Sequence, residues 1–285
     1  MAARKPPTER QRRLGAELRK MRESVGLSLT DAARVHRSDK GTLSNTESGR
    51  YGVGADRVRV WAASYRCPDP AYVDALVEMA RERRFAGPGW WDEYADVPGI
   101  ALDLAELEHY AVRLRTIQMT HLPGLLQHED YVRAVFEEEV PALAADSFRQ
   151  RLDFRLQRSR VLDRPRSLPC TFIIHEAALR MRFGGPVVMK RQLEHLLEQS
   201  ERENVDIRVL PFEAGGFPAS AGSTLYAYGP VRQLDTVHTD TNVGSSFLHA
   251  ETHLANFRAV LDRWEELSLE PHASRDFIRE AAQQQ

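Results

Sequence analysis

Between Thr8 and Gly49 the sequence starts and stops three helices in close succession, and few folds accommodate that. Leu14, Leu18, Met21 and Val25 recur at spacings of three and four, the period of one helix face, while Arg12, Arg13, Arg19, Lys20 and Arg22 take the other faces. Gly26 ends this first segment. Ser28-Leu29-Thr30-Asp31 reads as a capping box, with the Ser28 hydroxyl available to the amide three residues on and Asp31 favoured by the positive end of the helix dipole. It opens a second helix, Leu29 to Val35, whose Ala32-Ala33 pair lets a neighbouring helix approach closely. Ser38-Asp39 supplies the next start, and a third helix from about Lys40 to Ser48 stops at Gly49, suited to a left-handed cap. Helices this short with turns this tight describe a helix-turn-helix.

In such folds the third helix enters the major groove, where short polar side chains reach base edges and basic residues around it neutralise phosphates. Asp39, Lys40, Thr42, Ser44 and Asn45 are available to the groove, and an asparagine suits a bidentate contact with adenine. Arg37, Lys40 and Arg50 carry the charge for phosphates. The charge distribution agrees with this assignment. Residues 1–85 hold 18 Lys and Arg against 11 Asp and Glu, net +7, in a chain of net charge −2, which leaves −9 for residues 86–285. A basic segment joined to an acidic one points to a polyanion for the first and another task for the second. Charge and periodicity alone fit a helical bundle with a solvated basic face equally well.

Two further helical patterns, Asp56 to Tyr65 and Pro70 to Arg84, complete the expected N-terminal domain, residues 1–85. Glycine and proline then break the period, so residues 86–99 are expected to be a linker, pinned by Trp90-Trp91. Beyond it, helices are expected near Leu102 to Gln118, Gln127 to Glu138, Ala142 to Asp163 and Pro186 to Arg202. Strand-like runs cover Cys170 to His175, Val205 to Pro211, Thr224 to Tyr228, Leu234 to Thr239 and Ser246 to Leu248, and helices Glu251 to Leu267 and Pro271 to Ala282 close the chain. The expected fold class is therefore multi-domain, an all-α helix-turn-helix N-terminal domain followed by an α+β (mixed α/β) domain over residues 100–285.

No combination of residues specifies a reaction. Cys67 and Cys170 are too few for a four-thiolate zinc site, and their scarcity fits a reducing compartment. The first residues, MAARKPPTERQRR, are charged where a secretory segment needs an apolar stretch, and no apolar run reaches the ~18 residues of a membrane span. His249 and His253 share the spacing of a helix face that could hold a metal, but the pattern is not His-Glu-x-x-His and no third ligand is evident. His175-Glu176 follows a strand and offers acid–base groups, yet Glu176 sits equally where a helix start favours any carboxylate. Gly215 to Gly222 is rich in small residues but lacks the Lys-Ser/Thr of a nucleotide-phosphate loop, Ser223 is not in Gly-x-Ser-x-Gly, and Leu122-Pro-Gly-Leu-Leu-Gln127 fits a packed elbow as well as a ligand pocket. No catalytic residue, metal site or cofactor is expected.

The order of the residues adds a resemblance. Leu14-Gly-x-x-Leu-Arg-x-Met-Arg-x-x-x-Gly-Leu-Ser, Ala32-Ala33 and Leu43-Ser-x-x-Glu47-Ser48-Gly49-Arg50 resemble the DNA-binding domain of the Xre/Cro regulators. That family usually has an apolar residue at Thr46 and at His36, a glycine at Arg37 and an arginine at Asn45, and Gly41 costs roughly 1 kcal/mol of helix propensity relative to alanine. Gly89-Trp-Trp91, His121-Leu-Pro-Gly-Leu-Leu-Gln127-x-x-x-Tyr131, His175-Glu-Ala-Ala-Leu-Arg180, Gly184-Gly-Pro186, Gln192-Leu-x-His195-Leu and Val209-Leu-Pro-Phe-x-Ala-Gly215-Gly resemble the C-terminal domain of the WhiJ-like actinobacterial regulators. The resemblance implies an antitoxin-like transcription regulator, acting on double-stranded DNA in the cytoplasm and nucleoid. It implies a C-terminal domain without established chemistry, often with a small partner protein encoded nearby. A homodimer spanning two half-sites, a small acidic or apolar protein partner and a small-molecule effector are the expected associations, with no membrane. The chief rival reading is an enzyme targeted to DNA by its N-terminal domain, with chemistry near His175, Glu176 or the Gly215 loop, and a third is a pure antitoxin-like interaction protein.

Overall fold

A computed structural model of the protein describes residues 6–85, 89–94, 97–218, 222–241 and 244–285. The chain divides into two compact units, Met1–Glu93 with Ala101–Glu106, and Tyr94–Ile100 with Leu107–Gln285. Residues 86–88 and 95–96 of the expected linker lie outside the described residues.

The first unit is helical: α1 (Glu9–Ser24), α2 (Leu29–Val35), α3 (Lys40–Glu47), α4 (Ala55–Ser64) and α5 (Pro70–Phe85). Thr8 starts α1 with a full capping box, its hydroxyl accepting from the Gln11 amide while the Gln11 side chain accepts from the Thr8 amide, each at 3.3 Å. Leu14, Leu18, Met21, Leu43, Val58, Trp61, Leu76 and Val77 form the core. Three of these helices end in the same double-bonded stop. In α1 the amides of Gly26 and Leu27 return to the carbonyls of Glu23 and Arg22; in α2 those of Arg37 and Ser38 return to Arg34 and Ala33; in α4 those of Arg66 and Cys67 return to Ala63 and Ala62. This stop requires a left-handed residue, and the φ angles are +71° at Gly26, +48° at Arg37 and +53° at Arg66. A helix α6 (Gly99–Tyr110) follows a 3-10 turn at Trp90–Glu93 in which Trp91 is buried, and its Asp103 accepts from the Glu9 amide at 2.9 Å and from Arg12 at 3.1 Å.

The second unit is built on a mixed six-stranded sheet. It comprises β1 (Arg113–Gln118), α7 (Glu129–Glu137), α8 (Ala145–Ser159), β2 (Cys170–His175), α9 (Glu176–Arg180), α10 (Gly185–Gln199), β3 (Val205–Leu210), β4 (Thr224–Tyr228), β5 (Thr236–Thr241), β6 (Gly244–Leu248), α11 (Glu251–Leu267) and α12 (Pro271–Gln283). The strand order is β3-β2-β1-β4-β5-β6, with β1 to β3 parallel and β4 to β6 antiparallel. Leu114, Phe172, Ile174, Ile207 and Val209 pack on one face with Met189, Leu193 and Leu196 of α10 and Ile278 of α12. Ile117, Ile173, Leu210, Tyr226 and Val237 pack on the other with Leu254, Leu261 and Trp264 of α11. The outer edge of β3 is closed by side-chain and loop bonds, since the Val209 amide donates to Ser274 Oγ at 2.9 Å and its carbonyl accepts from Leu269 at 2.8 Å.

The two-domain α+β class matches the sequence reading, and one element corrects it. The expected helix Leu102 to Gln118 is two elements, α6 and the central strand β1. Between its two parallel and antiparallel partners β1 is buried on both faces, so it shows no alternation, and Leu114 and Ile117 fall three apart by coincidence with the helical period. The expected strand start at Leu234 likewise shifts to Thr236, Leu234 closing a 3-10 turn. The short helix α9 is not among the expected elements, and the other expected helices and strands lie within a few residues of their limits.

Candidate nucleic-acid interface

The third helix presents two chemically distinct faces. Leu43, Thr46 and Glu47 turn inward and are buried, whereas Lys40, Gly41, Ser44 and Ser48, spaced by three and four, are exposed, with Thr42 and Asn45 half-buried at the margin. Asp39 is the N-cap. Its carboxylate accepts from the Thr42 amide at 2.7 Å and from the Thr42 hydroxyl at 2.6 Å, and these bonds hold its pKa below the ordinary carboxylate value. Thr42 thus gives its proton to Asp39 and shows its oxygen as an acceptor. Among the described residues, the Asn45 side-chain amide has no hydrogen-bond partner, while its carbonyl accepts from the Tyr51 amide at 3.0 Å. Arg37, Lys40 and Arg50 are exposed.

Backbone contact fixes how this helix is mounted. A Cβ on Gly15 of α1 would come within 2.5 Å of the Glu47 carbonyl oxygen, and one on Gly49, where φ is +75°, within 2.7 Å of the Gln11 carbonyl. Buried charge locks the same joint: Arg22 of α1 donates to both Glu47 oxygens, at 2.7 and 2.9 Å, and to the Leu27 carbonyl at 2.6 Å. Glu47 and Gly49, two members of the Leu43-Ser-x-x-Glu47-Ser48-Gly49-Arg50 motif, therefore shape the fold.

The departures at His36, Arg37 and Thr46 each have a structural counterpart. Thr46 is buried at no polar cost because its hydroxyl donates to the Thr42 carbonyl at 3.0 Å. His36 fills an apolar role, stacked on Trp61 at 4.9 Å and edge-on to Tyr65 at 5.1 Å; burial, aided by Arg57, pushes its pKa down. Arg37 occupies the left-handed position where glycine is usual. Sequence reasoning missed two further exposed arginines, Arg57 and Arg66. The stop signal that would have found Arg66 is hidden, because no glycine marks the end of α4.

In the second unit the other candidate groups fall apart from one another. His175 caps α9, its Nδ1 accepting from the Ala177 amide at 3.1 Å, and burial pushes its pKa down against the neighbouring Glu176. Glu176 is buried between Arg180 and the Phe212 amide, which donates to it at 2.8 Å. His249 lies in the turn after β6 and His253 in the first turn of α11. Among the described residues no group of three or more His, Cys, Asp or Glu side chains could hold a metal. Residues 219–221 of the Gly215 loop lie outside the described residues. The Leu122–Gln127 segment forms a bonded elbow: Gln127 donates to the Leu122 carbonyl at 2.8 Å, and Gln192 donates to Leu126 at 2.9 Å while accepting from the His128 amide at 2.7 Å. Both cysteines are unpaired, and burial pushes the Cys170 thiol up to about 12.

The first unit is a helix-turn-helix, the class of fold that binds DNA in regulators of transcription, and the family model described as Helix-turn-helix domain matches residues 13–76. The model described as Domain of unknown function (DUF5753) matches residues 101–280, more than half of the chain, and the chain belongs to that family. No curated protein and no solved structure matches it. Among the described residues, no helix is long and apolar enough to cross a membrane.

Proposed function

We propose that the chain is a sequence-specific transcription regulator of the Xre/Cro type, with residues 1–85 as the DNA reader. In this reading α3 lies in the major groove, Thr42, Ser44 and Asn45 face base edges, Arg37, Lys40 and Arg50 face phosphates, and Asp39 orients Thr42. The single observation that carries it is the face of α3 that leaves Lys40, Ser44 and the unbonded Asn45 amide outward while Leu43, Thr46 and Glu47 hold the helix down. The net charge of +7 on residues 1–85 supports it.

Residues 86–99 then act as a linker, and residues 100–285 as an effector and dimerisation module of the WhiJ-like, antitoxin-like kind, taking a small protein encoded nearby or a metabolite. A homodimer would place two readers on half-sites roughly 34 Å apart. We propose that this module acts by binding, without turnover, in a cytoplasmic protein associated with the nucleoid when on DNA. What favours this over an enzyme is that Glu176 and the His175 Nδ1 lone pair are already used in bonds that hold α9 and the loop after β3.

Sequencing the genomic DNA that co-purifies with the protein gives the operator, and competition assays on that site and on random duplexes test the assignments. Asn45→Ala is expected to cost ~1–3 kcal/mol on the cognate site and little on random DNA, while Arg50→Ala weakens both alike. Equal losses on both duplexes for Asn45→Ala would remove it as a base reader.

A further inference from the structure

One group of buried charges in the second unit is out of balance. Arg155 and Arg158 lie three residues apart, just under one turn, on the same side of α8, and both guanidinium groups end against Gly124 in the elbow after β1. A Cβ there would lie 2.6 Å from Arg158 Nη2 and 3.4 Å from Arg155 Nη1. Glu108, fully buried, answers Arg158 at 2.9 Å. Among the described residues no carboxylate lies within 4 Å of Arg155. Its one hydrogen bond is to the neutral Gln127 Oε1, at 2.7 Å, and its guanidinium sits 5.3 Å from the centre of the Phe136 ring.

Two guanidinium groups thus share one carboxylate, with Arg158 and Glu108 buried and Arg155 half-buried beside them. Burial and the Arg158 charge lower the Arg155 pKa to about 10, against weaker opposition from Glu108, Asp240 and Glu139. A half-buried cation beside a second cation and without a carboxylate of its own attracts an anion that reaches it from solvent. Four of the five donors of a guanidinium remain once Gln127 is served, in the planar fork that matches two oxygens of one anion. The place in the fold is also apt. The elbow leaves the carboxyl end of β1, one of three parallel strands, and in open α/β sheets ligands bind outside the carboxyl ends of the strands.

We infer that Arg155, with Arg158 behind it and Gln127 orienting it, forms a binding site for the oxyanion of a small-molecule effector, a carboxylate or a phosphate. The inference rests on the reading of residues 100–285 as an effector module. Failure to bind DNA would sink the regulator reading and leave the anion response, which is read on unfolding alone, as it is.

The test is thermal unfolding of the full-length protein at fixed ionic strength in chloride, phosphate and acetate. Phosphate or acetate is expected to raise the melting temperature above that in chloride, since an anion bound only to the native state stabilises it by mass action. A rise with phosphate alone identifies a phosphate ligand and a rise with acetate a carboxylate. Arg155→Gln should abolish the specific rise and Arg155→Lys should keep part of it. Phosphate also stabilises proteins by exclusion from their surface, so the difference between wild type and Arg155→Gln is the decisive quantity. Arg155→Met, which removes the charge and keeps the stem, should melt no lower than wild type in chloride. An equal rise in wild type and Arg155→Gln, no rise in wild type with either anion, or a melting temperature of Arg155→Met well below wild type would overturn the assignment.

Discussion

The helices of the reader, residues 1–85, and the sheet domain handle buried arginines differently, and the difference separates groups that hold the fold from groups that await a ligand. In the reader, Arg22 meets Glu47 through two bonds, and Arg13 meets Glu17, whose second oxygen accepts from Tyr72. In the second unit Arg115 is equally well matched, by Asp262 and Glu265, each at 2.6 Å. Arg155 is the exception: Glu108 pairs with Arg158 at 2.9 Å, and among the described residues no carboxylate lies within 4 Å of Arg155. A matched pair fixes two helices and is spent in doing so. A cation without a carboxylate of its own, like Arg155 with its single bond to Gln127, keeps most of its donors for another molecule.

The largest expected effect breaks the matched side of this contrast. Glu47→Ala leaves Arg22 buried and unpaired, and should cost ~3–5 kcal/mol in chemical denaturation of the reader. Replacing both partners, Arg22→Met with Glu47→Leu, should recover most of that loss, as expected where the penalty is the orphaned charge. A double variant as unstable as the single one would show that the pair's hydrogen bonds, including Arg22 to the Leu27 carbonyl, outweigh charge balance at this joint.

A smaller effect sharpens it through pH. Burial, against the Thr8 hydroxyl and the Arg10 charge, raises the Glu106 carboxyl from 4.5 to about 7 in the folded protein. The folded state thus binds this proton more tightly than the unfolded chain, so the contribution is present in full below about pH 4.5 and is lost as the pH rises through about 7. Glu106→Gln removes that loss. Its stability should exceed that of wild type by on the order of 2 kcal/mol at pH 8 and converge with it at pH 4. Denaturation curves at the two pH values decide this, and parallel curves would mean that Glu106 does not titrate in the range.

The smallest effect concerns the helix stops. Gly26 and Arg37 occupy the same left-handed position at the ends of α1 and α2, and a side chain there costs roughly 1 kcal/mol. Arg37→Gly should therefore stabilise the reader by about that amount while weakening its binding to all DNA sequences alike. A variant that gains stability and keeps its DNA affinity would leave Arg37 as strain without a role.

Much of the reader was legible because its signals are local. Ser28, Asp39 and Gly49 act on backbone groups within three residues of themselves, and α2 has its expected limits of Leu29 and Val35. What was not legible depends on partners far along the chain. Strand β1 is a strand because Leu114 and Ile117 are held by β2 and β4, more than fifty residues on, and nothing in its own period says so. The same holds for the site inferred here. Arg155 is one of many arginines in the sequence, and only the folded chain shows that Glu108 answers Arg158 and that Arg155 is left with an amide.

Gly15 and Gly49 bring the backbones of α1 and α3 into contact, so the pose of the third helix is set by main chain at two positions that admit no side chain and by the Arg22–Glu47 pair beside them. The residues proposed to read bases, Ser44 on the exposed face and Thr42 and Asn45 at its margin, take no part in that contact. New combinations at positions 42, 44 and 45 are therefore open to drift and selection without retuning the joint. Duplicated copies of such a gene can diverge in the promoters they address while inheriting one unaltered chassis, and the same separation makes α3 a suitable helix for randomised libraries.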